Sequence, residues 1–171
     1  ESGIEVLHKD SIENIDIENI IHTAFKISKD VDALIGIGGG KALDYSKYCA
    51  HVLALPFISV PTSTSNDGFC SPNSSLLVEG RRKSVKSTMP YGVIVDLEAL
   101  KSSPETCILS GIGDLISKIT ASRDWEEAVR RGKENFNDFS CLISRHSIID
   151  FTCHQHENIR DYSFLNNLST S

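Results

Sequence analysis

The sequence lacks the features of a membrane-spanning protein and of a general nucleic-acid-binding protein. No apolar run approaches the roughly 18 residues needed to cross a bilayer, and the opening segment has neither the basic start nor the apolar stretch of a signal peptide. The net charge is −6, so no basic excess is available to neutralise nucleic-acid phosphates. We therefore expect no membrane span and no nucleic-acid partner.

Disulfide and zinc-finger signatures are also missing. The five cysteines are scattered, their number is odd, and no two of them form a Cys-x-x-Cys pair. Free thiols in a reducing compartment are the plain interpretation, so the sequence predicts a cytoplasmic protein. An initiating methionine is absent as well, which suggests a processed, trimmed or partial chain.

The composition is that of an ordinary globular protein, with 40% hydrophobic and 23% charged residues among 171. Strand-like and helix-like segments alternate in the first part of the chain, which favours an α/β fold with a parallel sheet. Predicted strands lie at 3–7, 32–38 and 56–62, and the second of them is expected to be buried. Predicted helices lie at 16–28 and 39–55.

The pattern changes further along the chain. Residues 73–80 and 81–87 flank Gly80 and predict a hairpin, and residues 90–100 predict a strand followed by a short helix. From Ser103 onward strand patterns vanish, and residues 107–133 and 138–151 predict helices. We place a domain boundary near residues 102–106.

Three consecutive glycines, Gly38, Gly39 and Gly40, separate a predicted strand from a predicted helix, and Lys41 follows them. Unsatisfied amides at a helix N-terminus attract phosphate, and glycines let a ligand approach the backbone closely. The spacing is not Gly-x-Gly-x-x-Gly, because the residue three positions after Gly38 is Lys41. It is not a P-loop either, because no Gly-Lys-Ser/Thr is present. A nucleotide-phosphate site and a simple tight turn are both open at this point.

A polar loop follows the next predicted strand, with the sequence Thr-Ser-Thr-Ser-Asn-Asp at residues 62–67. Its hydroxyls and amide can donate hydrogen bonds to a cofactor or substrate, and Asp67 can accept them from substrate hydroxyls. Parallel α/β sheets bind ligands at the carboxyl ends of their strands. The alternative is a turn whose hydroxyls cap their own backbone, but two polar loops at one sheet edge favour a site.

Residues 110–125 carry a third candidate. Ser110 is predicted to cap a helix, and Asp114 and Lys118 lie one turn apart on a shared face. They form either a surface salt bridge or, because their neighbours are apolar, part of a covered surface where a carboxylate could ligate a metal.

A fourth candidate is the pair His154 and His156, which lies beside Cys153 and Glu157. A His-x-His pair can chelate a metal when the backbone is extended. This short cluster does not by itself establish a metal site.

Four segments together resemble the sn-glycerol-1-phosphate dehydrogenase family. That family belongs to the superfamily of iron-containing alcohol dehydrogenases, glycerol dehydrogenases and dehydroquinate synthases. The match covers most of residues 32–125 in the family's order. The segment SNDGFCSP, together with GDLISK and the DW that follows it, favours the glycerol-phosphate branch. The segments are IGIGGGKALDYSKYCA, SVPTSTSNDGFCSPNSSL, PYGVIVDLEAL and SGIGDLISKITASRDW.

The resemblance implies an α/β architecture. Residues 1–102 would form a Rossmann-like NAD(P)-binding domain, incomplete at its N-terminus, and residues 103–171 the first part of an all-helical, metal-binding catalytic domain. The active site would lie in the cleft between the two domains. A homo-oligomer and a small phosphorylated triose or polyol substrate are also implied.

The resemblance also assigns roles to individual residues. Asp67 would contact the substrate, Asp114 would ligate a catalytic zinc against the substrate hydroxyl, and Lys118 would lie near them as a third catalytic residue. The cofactor, NAD(H) or NADP(H), would be held through its diphosphate by the glycine loop and along its nicotinamide side by the polar loop. These cofactor residues are Gly38, Gly39, Gly40, Lys41, Thr62, Ser63, Ser65 and Ser71.

In the family's reaction, zinc would act as a Lewis acid on the substrate oxygen while hydride passes between the substrate carbon and the nicotinamide. Iron or nickel are alternatives to zinc. The implied reaction interconverts dihydroxyacetone phosphate and sn-glycerol 1-phosphate. The family takes two further zinc ligands from histidines in Gly-Ser-Glu-His-like and His-Gly segments that these residues lack, so this stretch alone is predicted to be an inactive part of the enzyme.

Three alternatives stay open on the sequence. The protein could be a glycerol dehydrogenase acting on unphosphorylated polyols, or a dehydroquinate-synthase-like lyase that also uses NAD and a metal. It could also be a non-catalytic nucleotide-binding fragment. Net NADH oxidation separates a dehydrogenase from a synthase that regenerates its cofactor.

Overall fold

Three parallel strands form the sheet of the first part of the chain. The structure is a computed structural model that describes residues 3–153 and 158–171. Strand β1 (Leu34–Gly38) pairs with β2 (Phe57–Pro61), which pairs in turn with β5 (Gly92–Val93), and both pairings are parallel. The predicted α/β fold with a parallel sheet is thus confirmed.

Helix α2 (Gly40–Leu53) connects β1 to β2 and covers one face of the sheet. Its Leu43 and Ala50 pack with Phe57 in one buried cluster. The side chains of Ile35 and Ile37 are 50% and 65% exposed, so the prediction that β1 is buried is wrong. The reason is its position, since β1 lies at an edge of this sheet and α2 covers a single face.

A hairpin of β3 (Asn73–Val78) and β4 (Arg81–Lys86) forms a separate antiparallel sheet, as the sequence predicted. Its connecting residues, Glu79 and Gly80, both have positive φ, which is the geometry of a two-residue hairpin turn. Leu76 of β3 packs with helix α1 (Ile17–Ala24) and with α2 in a second buried cluster.

The last part of the chain is helical, as predicted. Helix α3 (Leu97–Lys101) is short, and α4 (Glu105–Arg130) is the longest helix that the structure describes. Two more follow, α5 (Asp138–Cys153) and α6 (Tyr162–Thr170), and the rings of Phe151 and Phe164 meet edge to face with centroids 5.4 Å apart. No described helix is long and apolar enough to cross a membrane.

The chain divides into two compact units. Unit 1 comprises Glu1–Thr62 and Gly68–Asp96, and unit 2 comprises Ser63–Asp67 and Leu97–Ser171. The polar loop is therefore shared, because residues 63–67 belong to the helical unit and the residues on either side belong to the sheet unit. The assignment of the helical part to a metal-binding catalytic domain stays a prediction.

Two sequence predictions about the first residues are corrected. Residues 3–10 form no strand, and Ile4 and Val6 in this segment are 72% and 75% exposed. An isolated apolar segment forms a strand only when a neighbouring strand supplies hydrogen bonds and cover. The first helix spans Ile17–Ala24 rather than 16–28, with Phe25 as its C-cap, and the residues that follow are not helical.

Cys49, Cys70, Cys107 and Cys141 are free thiols, as predicted for a reduced protein. Burial raises the pKa of the Cys49 thiol to about 11, so this group stays protonated at neutral pH.

Candidate active site

The glycine turn joins the end of β1 to the start of α2. Gly38 has a φ of +144°, and a Cβ at this position would lie 2.9 Å from the Cβ of Ala42. Both facts require glycine there, because L side chains rarely adopt such a backbone conformation. The next residue, Gly39, is the N-cap of α2 and makes no side-chain capping bond. The amides of the first turn are therefore available to an anion.

The end of β2 lies directly beside this turn. The backbone N–H of Thr62 donates a 3.0 Å hydrogen bond to the carbonyl oxygen of Gly38. The structure therefore brings two of the predicted cofactor residues together at the carboxyl edge of β1 and β2, where α/β sheets bind ligands. Lys41 is exposed on the first turn of α2, and a Cβ at Gly40 would meet nothing within 4 Å.

From Gly68 onward the polar loop belongs to unit 1, and it runs through the rest of a 3-10 helix, Asp67–Cys70, to Ser71. The Ser71 hydroxyl accepts a 3.1 Å hydrogen bond from the backbone N–H of Asn73 and donates a 3.2 Å bond to the carbonyl of the same residue. This predicted cofactor residue is thus tied to the first residue of β3.

Lys47 of helix α2 binds this loop, and it was not identified from the sequence. Its side chain is fully buried, and its Nζ donates to the carbonyl oxygens of Gly68 at 2.6 Å and Asn73 at 2.7 Å. The carboxylate of Asp44 lies 3.7 Å from the same Nζ. The signal was present in the sequence, because Lys47 stands between Leu43 and Ala50 on the inner stripe of α2, where an apolar residue is expected.

Asp44 is partly buried with this lysine. Burial raises the pKa of the Asp44 carboxyl above its ordinary value, and the neighbouring Lys47 ammonium opposes that rise. The balance between desolvation and attraction at this pair makes Asp44 sensitive to any change in Lys47.

In unit 2 the segment Ser63–Asp67 lies against helix α4. A Cβ at Gly111 would lie 1.9 Å from the carbonyl oxygen of Thr64, so only glycine allows the segment to approach the helix this closely. The hydroxyl of Ser110 donates a 3.0 Å bond to the carbonyl of Ser65. The prediction that Ser110 caps a helix is wrong, because α4 begins at Glu105 and runs through this position.

Asp67 of the loop lies beside Asp114 of this helix, and these are the two acids predicted to contact the substrate. The backbone N–H of Asp67 donates a 3.0 Å hydrogen bond to Oδ2 of Asp114. One turn further along α4, the Lys118 ammonium lies 3.8 Å from the Asp67 carboxylate. These two side chains are 25% and 57% exposed, so this ion pair contributes little to stability. It places a positive charge beside the Asp67 carboxylate.

The hydroxyl of Thr64 is buried without a hydrogen-bond partner within the described parts of the chain. Buried polar atoms almost always have a partner in the protein, in water or in a ligand. The hydroxyls of Ser59 and Ser103 share this property, so it is not particular to the polar loop.

The described residues do not form a complete metal site. Among residues 3–153 and 158–171, no group of three His, Cys, Asp or Glu side chains is placed to hold a metal ion. Asp114 supplies one carboxylate, whereas a catalytic zinc takes three protein ligands. The hypothesis about His154 and His156 falls on residues outside those described.

Comparison with known proteins gives the family. The family model of the iron-containing alcohol dehydrogenases matches residues 1–104. The chain belongs to the iron-containing alcohol dehydrogenase family. The superfamily predicted from the four sequence segments is thereby confirmed.

Two curated relatives are named for glycerol 1-phosphate. The chain is 40% identical over 141 residues to a protein of Methanococcus maripaludis named glycerol-1-phosphate dehydrogenase [NAD(P)+]. It is 44% identical over 111 residues to a protein of the same name from Metallosphaera sedula. The alignments cover 82% and 65% of this chain but only 40% and 32% of the relatives.

Solved structures confirm the fold. A probable glycerol dehydrogenase from Sinorhizobium meliloti superposes with a TM-score of 0.69 at 23% identity, over 91% of this chain and 49% of that one. At this identity the likeness supports the Rossmann-like architecture and carries no conclusion about substrate.

Proposed function

We propose that this protein is an NAD(P)-dependent oxidoreductase that interconverts dihydroxyacetone phosphate and sn-glycerol 1-phosphate. The observation that carries the proposal is the hydrogen bond from the Asp67 backbone to the Asp114 carboxylate. It brings together the two acids that the resemblance assigns to the substrate. The names of the two curated relatives supply the substrate and cofactor class.

The cofactor part of the proposal uses the glycine turn. Its uncapped amides at the start of α2 would hold the cofactor diphosphate. Gly38 has a backbone conformation that L side chains rarely adopt, and a Cβ at Gly40 would meet nothing within 4 Å. Thr62, Ser63, Ser65 and Ser71 would line the nicotinamide and ribose side. The choice between NAD(H) and NADP(H) is left to measurement.

The substrate part uses the carboxylates on α4 and the loop beside it. Asp67 would accept hydrogen bonds from the substrate hydroxyls, and the Lys118 ammonium lies 3.8 Å from its carboxylate. The backbone N–H of Asp67 donates to the Asp114 carboxylate, so the loop backbone at Asp67 is held beside Asp114. Holding reacting groups in a fixed geometry is one way in which an enzyme raises the rate of its reaction.

Asp114 as a ligand of zinc, or of iron or nickel, is part of the proposal. The described residues do not supply the further ligands that such an ion requires, so the geometry of this chain assigns no chemical step to a metal. A cytoplasmic location and a homo-oligomeric state are also proposed, on the resemblance and the free thiols.

The experiment is a kinetic comparison in the protein expressed at its natural length, with zinc supplied. We expect NADH oxidation with dihydroxyacetone phosphate, and a loss of at least about 100-fold in kcat/KM for Asp114→Asn, typical of removing a preorganised polar group at a reacting centre. Asp124→Asn, an exposed acid on the same helix, is the matched control and should leave kcat/KM unchanged.

Two results would contradict the proposal. Oxidation of NADH with free dihydroxyacetone but not with the phosphate would place the protein among glycerol dehydrogenases. Bound cofactor with no net oxidation of NADH by either ketone would favour the synthase-like or non-catalytic alternative.

A further inference from the structure

A buried lysine at the centre of α2 needs an explanation that packing does not give. Lys47 lies on the inner stripe of the helix, with Leu43 one turn before it and Ala50 one turn after it, and its side chain is 0% exposed. Taking an ammonium group out of water is costly, and replacing a buried ion pair with apolar residues is often neutral or stabilising. Stability alone therefore does not account for a lysine at this position.

The hydrogen bonds of Lys47 show what the charge holds. Its Nζ reaches two backbone carbonyls, Gly68 at 2.6 Å and Asn73 at 2.7 Å, and these are short, charge-assisted bonds. One carbonyl stands at the beginning and the other at the end of the loop segment 68–73. A single buried cation thus fixes both ends of that segment against α2.

The same segment carries a proposed cofactor residue. The Ser71 hydroxyl donates to the Asn73 carbonyl, so Ser71 and Lys47 share one acceptor. Ser71 also accepts the backbone N–H of Asn73. A shift of the Asn73 carbonyl would therefore move the Ser71 hydroxyl directly. The other carbonyl that Lys47 binds belongs to Gly68, which is next to Asp67 in the chain.

We propose that Lys47 is a positioning residue that sets the place of the Ser71 hydroxyl for the nicotinamide cofactor by holding the carbonyls of Gly68 and Asn73. This inference rests on the proposed function, because it concerns the same cofactor site. In this proposal Lys47 does not touch the cofactor. It affects cofactor binding by positioning residues 68–73.

The test compares NADH affinity, measured by fluorescence titration, in variants of the protein at its natural length. Lys47→Met keeps the length of the side chain and removes its charge and donors, and we expect the dissociation constant for NADH to rise roughly tenfold. Lys47→Arg keeps a charged donor and should recover part of the affinity. The control is Lys83→Met, which removes a half-exposed lysine of β4 whose ion pair is with Glu79.

A double-mutant cycle separates positioning from a general loss of structure. In the unsubstituted protein, Ser71→Ala should weaken NADH binding, and in the Lys47→Met background the same change should have little further effect. Folding of each variant is checked by circular dichroism at the titration temperature. If Lys47→Met does not fold, the cycle is run with Lys47→Arg, where a reduced effect of Ser71→Ala is expected.

The outcomes distinguish this inference from the proposed function. Equal effects of Ser71→Ala in both backgrounds, or unchanged NADH affinity in Lys47→Met, would overturn the role of Lys47 alone. Absence of NADH and NADPH binding in the unsubstituted protein would overturn the proposed function, and this inference with it.

Discussion

The two halves of the polar loop are held by different physical means. Residues 63–67 lie against α4 through a steric fit at Gly111 and hydrogen bonds from Ser110 and to Asp114. Residues 68–73 are held against α2 by the fully buried ammonium of Lys47. One anchor depends on the absence of a side chain, and the other on the presence of a buried charge.

The difference has consequences for what each half tolerates. A steric fit against a backbone carbonyl fails as soon as one carbon atom is added, because neither the helix nor the loop can yield cheaply. A charge that holds two carbonyls can weaken by degrees, as its hydrogen bonds lengthen or its acidic neighbour changes state. Substitutions at the two anchors should therefore differ in size and in kind.

The largest effect is expected at the steric anchor. In Gly111→Ala the new Cβ would lie 1.9 Å from the Thr64 carbonyl oxygen, so the segment must move away from α4. We expect the free energy of unfolding to fall by about 3 kcal/mol, the upper part of the usual range for overpacking. Urea denaturation followed by circular dichroism measures this change.

Gly113→Ala is the matched control on the same helix. A Cβ at this position meets nothing within 4 Å, so the higher helix propensity of alanine should stabilise the protein by roughly 0.5–1 kcal/mol. Equal changes in the two variants would mean that residues 63–67 do not depend on a close approach to α4.

A smaller effect is expected at the glycine turn of unit 1. Gly38→Ala should lower the free energy of unfolding by about 2 kcal/mol, because φ at this position is +144° and Ala42 lies in the way. Gly40→Ala meets no atom within 4 Å and should leave the fold intact. NADH titration of the Gly40→Ala variant then sharpens the comparison, since weaker binding by a stable variant would show that a ligand approaches this residue.

The smallest effect is expected at Asp44, the acidic neighbour of Lys47, and it depends on pH. Burial raises the pKa of Asp44 above 3.8, so the folded protein binds more protons here than the unfolded chain does. The contribution of this group to stability is therefore fully present below pH 3.8 and is lost as pH rises through the pKa of the folded state. Lys47 and Arg82 oppose the rise in pKa by attraction, and a hydrogen bond from the Ser75 backbone does so as well.

Asp44→Asn removes this proton-linked contribution. The stability of the unsubstituted protein relative to Asp44→Asn should therefore fall as pH rises from 3.8 and then become constant. Urea midpoints measured at several pH values test this, and a relative stability that rises with pH would contradict the burial of Asp44.

The sequence predicted the elements that depend on local patterns. Alternating strand and helix segments gave the parallel order of β1, α2 and β2, and three glycines between them gave the turn where Thr62 meets Gly38. The hairpin followed from the residues around Gly80. These features are local, so periodicity and turn chemistry specify them.

The contacts that hold the polar loop could not be predicted from local sequence patterns. The bond between Asp67 and Asp114 joins residues 47 positions apart in the chain, and Gly111 matters only because Thr64 lies against it. Lys47 stands out in the sequence because it interrupts the apolar inner stripe of a helix. Its hydrogen-bond partners, Gly68 and Asn73, are distant in the chain, so only the structure identifies them. The strand predicted at residues 3–7 failed for the opposite reason, because its apolar pattern has no pairing partner among the described residues.

The most direct test of the proposed function is the stereochemistry of the product. The protein at its natural length, with zinc, NADH and dihydroxyacetone phosphate, should oxidise NADH and release sn-glycerol 1-phosphate. A stereospecific assay with a dehydrogenase for sn-glycerol 3-phosphate identifies the enantiomer, and our account predicts that this second enzyme leaves the product untouched. Release of sn-glycerol 3-phosphate, or no oxidation of NADH, would contradict it.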